Sequence, residues 1–438
     1  MYIYVETERK MEAFLHFDEH NLPDYPFPGT SDEVYACGCG LCDDINGDFS
    51  DESYMRIVRG TAEAAFLDFC ALLSVNEYTS VSDTGTGSGI YREYEKNGSV
   101  LYTYYVFCEN TVRIIADNAS CTTARFCAHE TPSSGSAGLM QYGLLYLDMI
   151  RGTTCDCGML YAVRLKNGKL ILIDGGEKEQ CTVPAVREAI KRLRELCGSE
   201  KITVALWFCT HPHNDHIDMF TKLLRNMGES IVIERVMFNF PHLGTVQIDT
   251  SLESVSRMKS YIKKHSPDAL FLKPHTGECL NIYGAEIFVL HTHEDMIGYY
   301  DDKLYRGANQ TSTVIKITVD GVSLILLGDC EEENGEVFLK RYSEKELTCT
   351  FLQAAHHCIN ENRNIYEAVK AQRILIPQSM YNIGPRFFNN FGVICENYGR
   401  ENITVAGDGT SVFTIENGAL TDEKNYPVIG TIYDGNEL

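Results

Sequence analysis

The sequence predicts an α/β protein in which two mixed β-sheets pack face to face with helices outside, preceded by a small α+β domain. Two features of the 438-residue chain indicate the larger part. From Leu144 onward, apolar β-branched runs alternate with amphipathic helical stretches, a pattern typical of sheets covered by helices. In addition, Lys166-Asn-Gly and Asp320-Gly separate neighbouring strand-like runs and predict tight hairpins. We therefore expect a four-layer αββα sandwich.

A different pattern, earlier in the chain, predicts the small domain. Apolar residues recur at helical spacing over residues 54–73, and β-branched and aromatic runs follow at 91–94, 99–108 and 111–115. A stretch rich in Ser and Gly comes next and is typical of a linker. The expected division is an irregular acidic segment at 1–53, the small α+β domain at 54–130, a linker at 131–143 and the large domain at 144–438.

Periodicity and turn signals also place individual elements of the large domain. Amphipathic spacing predicts helices at residues 183–197 and 217–227. Short apolar runs bounded by turn residues predict buried strands, which we expect at residues 159–165, 169–173, 202–209, 231–238, 285–290, 312–319 and 322–327.

Charge and composition narrow the classes of function. The formal net charge of −23 repels polyanions, so a small or medium-sized substrate is favoured over nucleic acid. No run reaches the roughly 18–20 apolar residues of a membrane span, and the first residues lack the layout of a secretory signal. The 17 cysteines are dispersed through a large chain, which favours reduced thiols. We expect a cytoplasmic protein that does not act at a membrane. Whether it forms homo-oligomers stays open.

The most specific feature is a histidine cluster directly after the strand-like run at 202–209. Residues 210–218 read Thr-His-Pro-His-Asn-Asp-His-Ile-Asp, which places His211, His213, Asp215 and His216 in one short loop. Imidazole nitrogens and carboxylate oxygens are ligands of zinc, iron and manganese. Because about four such ligands saturate one zinc ion, this density indicates two divalent ions. We expect zinc, with iron or manganese as alternatives.

Three further apolar runs end in residues of the same chemistry. Asp174 ends one run before two glycines, where a carboxylate can support a metal-binding loop from behind. Asp329 follows another run and can bridge two cations. A third run ends in His356 and His357, of which at least one is expected to be a ligand while the other supports the ligands or acts on substrate. Since strand ends at one edge of a sheet converge, we expect these side chains to meet.

The chain resembles the metallo-β-lactamase superfamily of hydrolases over roughly residues 144–415, through an ordered series of strand-end residues: Asp174, His211, His213, Asp215, His216, Asp329, His356 and His357. The closer likeness is to the branch that includes the nuclease-like domain of DNA-uptake competence proteins, which Asn309-Gln-Thr-Ser312 and Ala355-His-His resemble. The resemblance implies a metallo-β-lactamase-like sandwich. It also implies one ion held by His211, His213, Asp329 and water, and a second held by Asp215, His216, Asp329 and a distal histidine.

One position departs from the superfamily pattern. The superfamily usually supplies a further histidine before the bridging aspartate, and the aligned position here is Asn309. His291 and His293 end a nearby strand-like run and are candidate substitutes, although they can equally shape the rim of the cleft. The number of ions bound, one or two, therefore stays open.

The predicted chemistry is hydrolysis. A hydroxide that bridges two divalent ions is a nucleophile at neutral pH, because coordination lowers the pKa of water from about 16 to about 7. We expect a metal-dependent hydrolase that cleaves an ester, phosphodiester, amide or thioester bond, with Asp215, His356 and His357 as candidate catalytic residues. Two alternatives stay open. One is a phosphodiesterase or nuclease acting on nucleotides or nucleic acid, and the other is a binding or regulatory module with a degenerate metal site.

Overall fold

The computed structural model describes residues 32–36, 54–118, 128, 134–143, 146–148, 153–155, 158–177, 183–241, 252–299, 305–378, 383, 388–427 and 431–432. Its helices are α1 (Glu63–Val75), α2 (Val183–Cys197), α3 (Asp218–Met227), α4 (Leu252–His265), α5 (Glu332–Phe338), α6 (Glu344–Leu347), α7 (Arg363–Ala368) and α8 (Phe388–Tyr398). The first strands are β1 (Asp32–Ala36), β2 (Tyr54–Arg59), β3 (Thr79–Gly85), β4 (Gly89–Lys96), β5 (Ser99–Val106), β6 (Thr111–Asn118), β7 (Ala137–Gln141), β8 (Tyr146–Asp148), β9 (Thr153–Cys155), β10 (Tyr161–Arg164), β11 (Leu170–Ile173) and β12 (Ile202–Phe208). The others are β13 (Ile231–Ile233), β14 (Arg235–Met237), β15 (Leu270–Leu272), β16 (Cys279–Ile282), β17 (Ala285–His291), β18 (Val314–Val319), β19 (Val322–Leu326), β20 (Cys349–Gln353), β21 (Ala371–Ile376), β22 (Ile403–Val405), β23 (Thr410–Glu416), β24 (Ala419–Tyr426) and β25 (Thr431–Ile432).

The first six strands form one sheet, here called the N-terminal sheet, in the order β1-β2-β6-β5-β4-β3. Helix α1 packs on one face of this sheet, where Phe66, Phe69 and Leu73 contact side chains of β5 and β6. The sheet and its helix agree with the α+β character expected for this region. Strand β1 lies within the segment expected to be irregular and pairs antiparallel with β2, while the rest of residues 1–53 lies outside the described residues.

The helix expected over 54–73 is wrong in its first part. Tyr54–Arg59 is a strand paired antiparallel with β6, and the helix begins at Glu63. Met55 and Ile57 are buried on one face of the sheet and Val58 on the other, so this run has a period of two. Gly60, at φ +67°, separates the strand from the helix. The distant strand β6 supplies the pairing that local spacing does not reveal.

The large part of the chain is a four-layer αββα sandwich, which confirms the predicted fold class. Its nine-stranded sheet runs β15-β14-β12-β11-β10-β7-β23-β24 with β13 beside β12, and its seven-stranded sheet runs from β16 to β22 in sequence order. One core lies between the two sheets. Helices α2, α3 and α4 cover the outer face of the nine-stranded sheet, and α5 to α8 cover the outer face of the seven-stranded sheet. The strand expected at 231–238 is divided at Glu234 into β13 and β14.

Each large sheet contains a parallel half, and these halves position the candidate site. Strands β11, β12, β14 and β15 are mutually parallel, as are β19 to β22. Side chains that follow parallel strands lie at the carboxyl edge of a sheet, where α/β proteins bind ligands. The candidate residues that follow β11, β12, β19 and β20 therefore meet at one edge of the sandwich.

The N-terminal sheet docks its second face against the sandwich. Tyr102, Tyr104 and Ile115 of this face share a core with Met296 and Tyr305 of the large part. A small fourth sheet has the order β25-β8-β9. Among the described residues, no helix is both long and apolar enough to cross a membrane.

Candidate metal centre

Asp174 is the first residue of the site along the chain, and it holds Thr210 and His216 in place. It follows β11 in a left-handed conformation, φ +54°, and is completely buried. Its Oδ1 accepts a hydrogen bond from the backbone N–H of Thr210 at 2.7 Å, and its Oδ2 accepts one from Thr210 Oγ1 at 2.9 Å. The same Oδ2 lies 2.6 Å from His216 Nδ1. Glycine is required next, because a Cβ at Gly175 would lie 2.8 Å from the Cβ of Phe220.

The first group of potential ligands contains His211, His213 and Asp329. His211 Nε2 lies 3.0 Å from His213 Nδ1 and 3.7 Å from Asp329 Oδ2. His211 is completely buried and His213 is half-buried. This loop leads into the short 3₁₀ turn Asn214–His216, which brings the next two side chains of the motif to the opposite side of Asp329.

The second group contains Asp215, His216, Asp329 and His357. His216 Nε2 lies 3.2 Å from both His357 Nε2 and Asp329 Oδ1. His357 Nε2 lies 3.1 Å from Asp215 Oδ2 and 3.5 Å from Asp329 Oδ2. Within each group the potential ligand atoms are no more than 4.8 Å apart. Asp329 belongs to both groups, which is the geometry expected of a bridging carboxylate.

Asp329 is held by a neighbouring loop while one of its oxygens accepts no hydrogen bond. Its backbone N–H donates to Ser312 Oγ at 3.1 Å. The preceding Gly328 has φ +57°, and a Cβ there would lie 2.9 Å from the Cβ of Thr210. Asp329 Oδ1 is buried and accepts no hydrogen bond among the described residues, although His216 Nε2 lies 3.2 Å away. A buried carboxylate oxygen that accepts no hydrogen bond is costly, and a bound ligand at this atom would lower that cost.

The two adjacent histidines after β20 have different surroundings. His356, His357 and Cys358 are consecutive left-handed residues, with φ of 46°, 50° and 65°. Such backbone conformations are strained for non-glycine residues and are frequent at functional sites. His357 is buried and its Nδ1 lies 3.1 Å from the carbonyl oxygen of Pro377. The side chain of His356 is 19% exposed, lies 3.8 Å from Asp329 Oδ2, and its Nε2 is 3.1 Å from Asn309 Nδ2.

The electrostatics of the cluster couple its histidines to its carboxylates. Burial lowers the pKa of His216 and His357, but the carboxylates of Asp329 and Asp215 outweigh it and hold both pKa values well above the usual range. Burial raises the pKa of Asp329 and Asp215, and the neighbouring His216 and His357 reverse this effect, so that both carboxyl pKa values are lowered. For His211, burial and the charge on His216 lower the pKa. The carboxylates and the two histidines of the second group therefore stabilise each other's charged forms.

Hydrogen bonding defines which ring nitrogens are available to a metal. Thr210 Oγ1 uses its one hydrogen for Asp174, so it accepts from His211 Nδ1 at 3.1 Å. His216 Nδ1 donates to Asp174 and His357 Nδ1 donates to Pro377 O. If a divalent ion displaced the Nε2 hydrogens, all three Nε2 lone pairs would point into the cluster. Three converging lone pairs and two carboxylates fit divalent metal ions of the zinc, iron or manganese type.

The structure does not bring His291 or His293 into either group. His291 Nε2 lies 3.1 Å from Asn334 Nδ2, and His293 contacts the side chains of Tyr305 and Asn239 at 2.9 and 3.0 Å. Both rings are completely buried beside the N-terminal sheet. In the described chain, their nitrogens are thus engaged away from Asp329. Asn309 contacts His356 instead of joining a group.

Sequence reasoning missed part of the support around the ligands. Thr210 connects Asp174 to His211, and the carbonyl oxygen of Pro377 orients His357. Thr210 directly precedes the motif, and a hydroxyl next to a candidate ligand is a signal that could have identified it. Pro377 acts through its backbone, so no side-chain pattern could have indicated it.

Comparisons with known proteins concern the fold. No family model matches the chain, and no curated protein matches it. Similar solved structures include the metallo-beta-lactamase fold protein YhfI from Bacillus subtilis, at 11% identity and a TM-score of 0.37 over 64% of this chain and 99% of YhfI. CmlA, a diiron beta-hydroxylase from Streptomyces venezuelae, is similar at 14% identity and a TM-score of 0.37, over 63% of this chain and 53% of CmlA.

A third similar structure is a possible metal-dependent hydrolase from Veillonella parvula DSM 2008, at 14% identity and a TM-score of 0.33. That similarity covers 62% of this chain and 98% of the other. At these identities and TM-scores, function has to be inferred from the chain's own site.

Proposed function

We propose that this protein is a metal-dependent hydrolase whose two divalent ions are held by the two groups that share Asp329. The observation that carries the proposal is the convergence of three Nε2 lone pairs, from His211, His216 and His357, on this carboxylate. Each Nδ1 is engaged by a buried acceptor, so the rings are oriented before any ligand arrives. Zinc is the proposed metal, with iron or manganese as alternatives.

The cations, when bound, supply Lewis-acid polarisation of a substrate oxygen and an activated water at neutral pH. Side chains of this protein supply orientation and proton handling. Asp215 is a carboxylate at neutral pH because its pKa is lowered, so it serves as a ligand and hydrogen-bond acceptor. His356 is the more exposed of the two adjacent histidines, and Asn309 donates to its Nε2. This places His356 where a substrate entering from solvent would meet it.

The proposed substrate is small or medium-sized and contains an ester, phosphodiester, amide or thioester bond. The net charge of −23 disfavours long nucleic acid, since polyanions are repelled over most of such a surface. A phosphodiesterase or nuclease is the second candidate. Its support is that Ser312 and Asn309 contact Asp329 and His356, so the two motifs of the competence-protein likeness come together. That likeness stays a prediction.

Metal analysis and a substrate panel test the proposal. Purified protein, dialysed with Zn²⁺ or Mn²⁺, should retain close to two ions per chain by elemental analysis. The loaded protein is then assayed against chromogenic phosphodiesters, carboxyl esters, lactones, thioesters and amides. We expect hydrolysis of one of these classes, and its loss when a chelator removes the metal. Phosphodiester hydrolysis alone would favour the second candidate.

A matched pair of histidine variants provides the control. His216 and His293 are both completely buried, but only His216 belongs to a potential ligand group. His216→Ala should remove metal and hydrolysis, whereas His293→Ala should retain both. Folded wild-type protein that binds neither metal would refute the proposal and favour the binding or regulatory module. Full activity in folded His216→Ala would show that hydrolysis occurs elsewhere.

A further inference from the structure

We propose that the N-terminal sheet positions the metal-binding loops through a chain of four buried side chains, Tyr104, Asp295, His291 and Asn334, here called the relay. This inference rests on the proposed function, because it assigns positioning residues to the same site. None of the four is a catalytic residue. The relay starts on β5 of the N-terminal sheet and ends between the loops that carry Asn309 and Asp329.

The first step joins the N-terminal sheet to Asp295. Tyr104 is completely buried on β5, and its hydroxyl donates to Asp295 Oδ1 at 2.9 Å. Arg341 Nη1 lies 2.5 Å from the same oxygen, and Arg341 Nη2 lies 2.6 Å from Glu109 Oε1, which follows β5. Asp295 is therefore oriented by groups from both sides of the interface. A buried carboxylate with this many donors has one favoured orientation.

In the second step, Asp295 orients His291. Asp295 Oδ2 lies 3.3 Å from His291 Nδ1, which is close enough for electrostatic attraction but outside hydrogen-bond geometry. Burial lowers the pKa of His291, so the ring is neutral and carries one hydrogen. A hydrogen on Nδ1, facing the carboxylate, leaves Nε2 as an acceptor. The carboxylate thus selects the tautomer that can accept a hydrogen bond from Asn334.

In the third step, Asn334 connects His291 to the loops that carry Asn309 and Asp329. Asn334 Nδ2 lies 3.1 Å from His291 Nε2 and donates to the carbonyl oxygen of Gln310 at 2.9 Å. The amide oxygen of Asn334 accepts from the backbone N–H of Glu331 at 3.1 Å. Gln310 directly follows Asn309, and Glu331 lies two positions after Asp329. The orientation of a single amide therefore sets the distance between the two loops.

A second set of contacts in the same interface offers controls whose own hydrogen bonds are made to none of the four relay residues, although the side chain of Thr276, which Tyr102 contacts, donates to Asp295 Oδ2. Tyr102 lies on β5 like Tyr104, is equally buried, and donates its hydroxyl to the carbonyl oxygen of Thr276 at 2.8 Å. Asn239 resembles Asn334: its amide contacts a histidine ring, that of His293, and the carbonyl oxygen of Pro274. Loss of either hydroxyl or either amide removes comparable buried hydrogen bonds. Only one member of each pair belongs to the relay.

The test compares Tyr104→Phe with Tyr102→Phe, and Asn334→Ala with Asn239→Ala, in the full chain. Zn²⁺ affinity is measured by competition with a chromophoric chelator, and hydrogen exchange of residues 308–312 is measured on metal-free protein. We expect Asn334→Ala to weaken Zn²⁺ binding about 10-fold, the lower end of the loss seen when metal ligands lose their supporting partners. Tyr104→Phe should weaken it less, and both relay variants should accelerate exchange at 308–312. The two controls should lower the melting temperature similarly without either effect.

Equal Zn²⁺ affinity and equal exchange in the relay and control variants would overturn the inference. If wild-type protein binds no Zn²⁺, the proposed function fails, and the hydrogen exchange of the metal-free variants still decides the relay. If Asn334→Ala does not fold, the conservative Tyr104→Phe and Tyr102→Phe pair decides it.

Discussion

Two buried clusters of histidines and carboxylates lie among the described residues, and they differ in the groups that pair with their carboxylates. The first is the candidate metal centre. The second, here called the docking cluster, lies under the N-terminal sheet and contains Glu109, Arg113, Asp117, Lys273, His275, Glu294, Asp295 and Arg341. Both are rich in residues that bind metals. Residue type alone therefore does not distinguish a ligand set from a structural ion network.

The two clusters differ in the side chains that pair with their carboxylates. In the docking cluster, Lys273 pairs with Asp117 at 3.3 Å and Arg341 pairs with Asp295 at 2.5 Å. His275 lies between two carboxylates, with Nδ1 3.0 Å from Glu294 and Nε2 3.3 Å from Asp117. The acids of this cluster thus have protein cations as partners.

In the metal centre, the ion-pair partners of Asp215 and Asp329 within the described chain are all histidines. Ring nitrogens there face other ring nitrogens, at 3.0 Å for His211 and His213 and at 3.2 Å for His216 and His357. Ring nitrogens at these distances share either a proton or a cation, and the raised pKa values of His216 and His357 show that positive charge is favoured there. The comparison teaches that unmatched acceptors, rather than histidines as such, mark a metal site.

The largest effect is expected from removing the carboxylate that the two ligand groups share. Asp329→Ala should abolish tight Zn²⁺ binding, with an affinity loss greater than the roughly 10–100-fold that follows loss of a supporting partner. Wild-type protein should gain about 4 kcal/mol of unfolding free energy at a metal concentration 1,000 times the Kd, and the variant should lose this gain. Thermal unfolding with and without Zn²⁺ measures it. If Zn²⁺ raised the unfolding free energy of Asp329→Ala as much as that of the wild type, Asp329 would not be a metal ligand, and the two clusters would not differ in this respect.

The opposite result is expected from a buried carboxylate of the docking cluster. Glu294 is completely buried and accepts from Asn239 at 3.0 Å in addition to its pairing with His275. Glu294→Ala should lower the unfolding free energy by about 3–5 kcal/mol, because it leaves a buried cation without one of its partners. Metal content should stay at the wild-type value. Chemical denaturation measures the unfolding free energy, and elemental analysis measures the metal content. Loss of metal together with stability would show that the docking cluster also contributes to metal binding.

A smaller effect is expected from pH. Burial lowers the pKa of His275, but Glu294, Asp117 and Glu278 outweigh it and hold the pKa well above the usual value of about 6.5. A histidine whose pKa is higher in the folded than in the unfolded protein stabilises the folded state fully below about pH 6.5. This stabilisation is lost as the pH rises toward the folded-state pKa. Relative to His275→Gln, wild-type protein should therefore lose up to about 1.4 kcal/mol of unfolding free energy per pH unit above 6.5.

Denaturation curves at a series of pH values from 6 to 9 would test this expectation, with His265→Gln as the control. His265 is a histidine outside both clusters, at the end of α4. A difference between wild type and His275→Gln that does not vary with pH would show that His275 is neutral in the folded protein.

Local sequence was sufficient for the elements from β10 to α3, for β17 to β19 and for the order of the candidate ligands. Helix α2 has the expected bounds, and strands β12, β18 and β19 differ by one or two residues at their ends. Strand ends that carry Asp174, Asp329 and the histidine motif could be expected to converge, because parallel strands share one carboxyl edge. The assignment of these residues as ligands stays a prediction that the geometry supports.

Other features depended on contacts between distant segments. Tyr54–Arg59 is a strand because β6 pairs with it, although its spacing also suits a helix. His291 and His293 follow β17 much as the motif follows β12, and the sequence made them candidate ligands. Only the packed N-terminal sheet and Asn334, Asn239 and Tyr305 show that their nitrogens are already engaged.

The sequence by itself determined the chemistry: which side chains can bind a divalent ion, and at the ends of which strands they lie. Tertiary structure decided which of these side chains lack partners, because burial and pairing depend on neighbours far away in the chain. Asp295 and Asp329 follow similar apolar strands and are both buried, yet Arg341 neutralises the first, and the second faces the lone pairs of histidine rings. That contrast is set by three-dimensional packing, since Arg341 and the histidines come from distant parts of the chain.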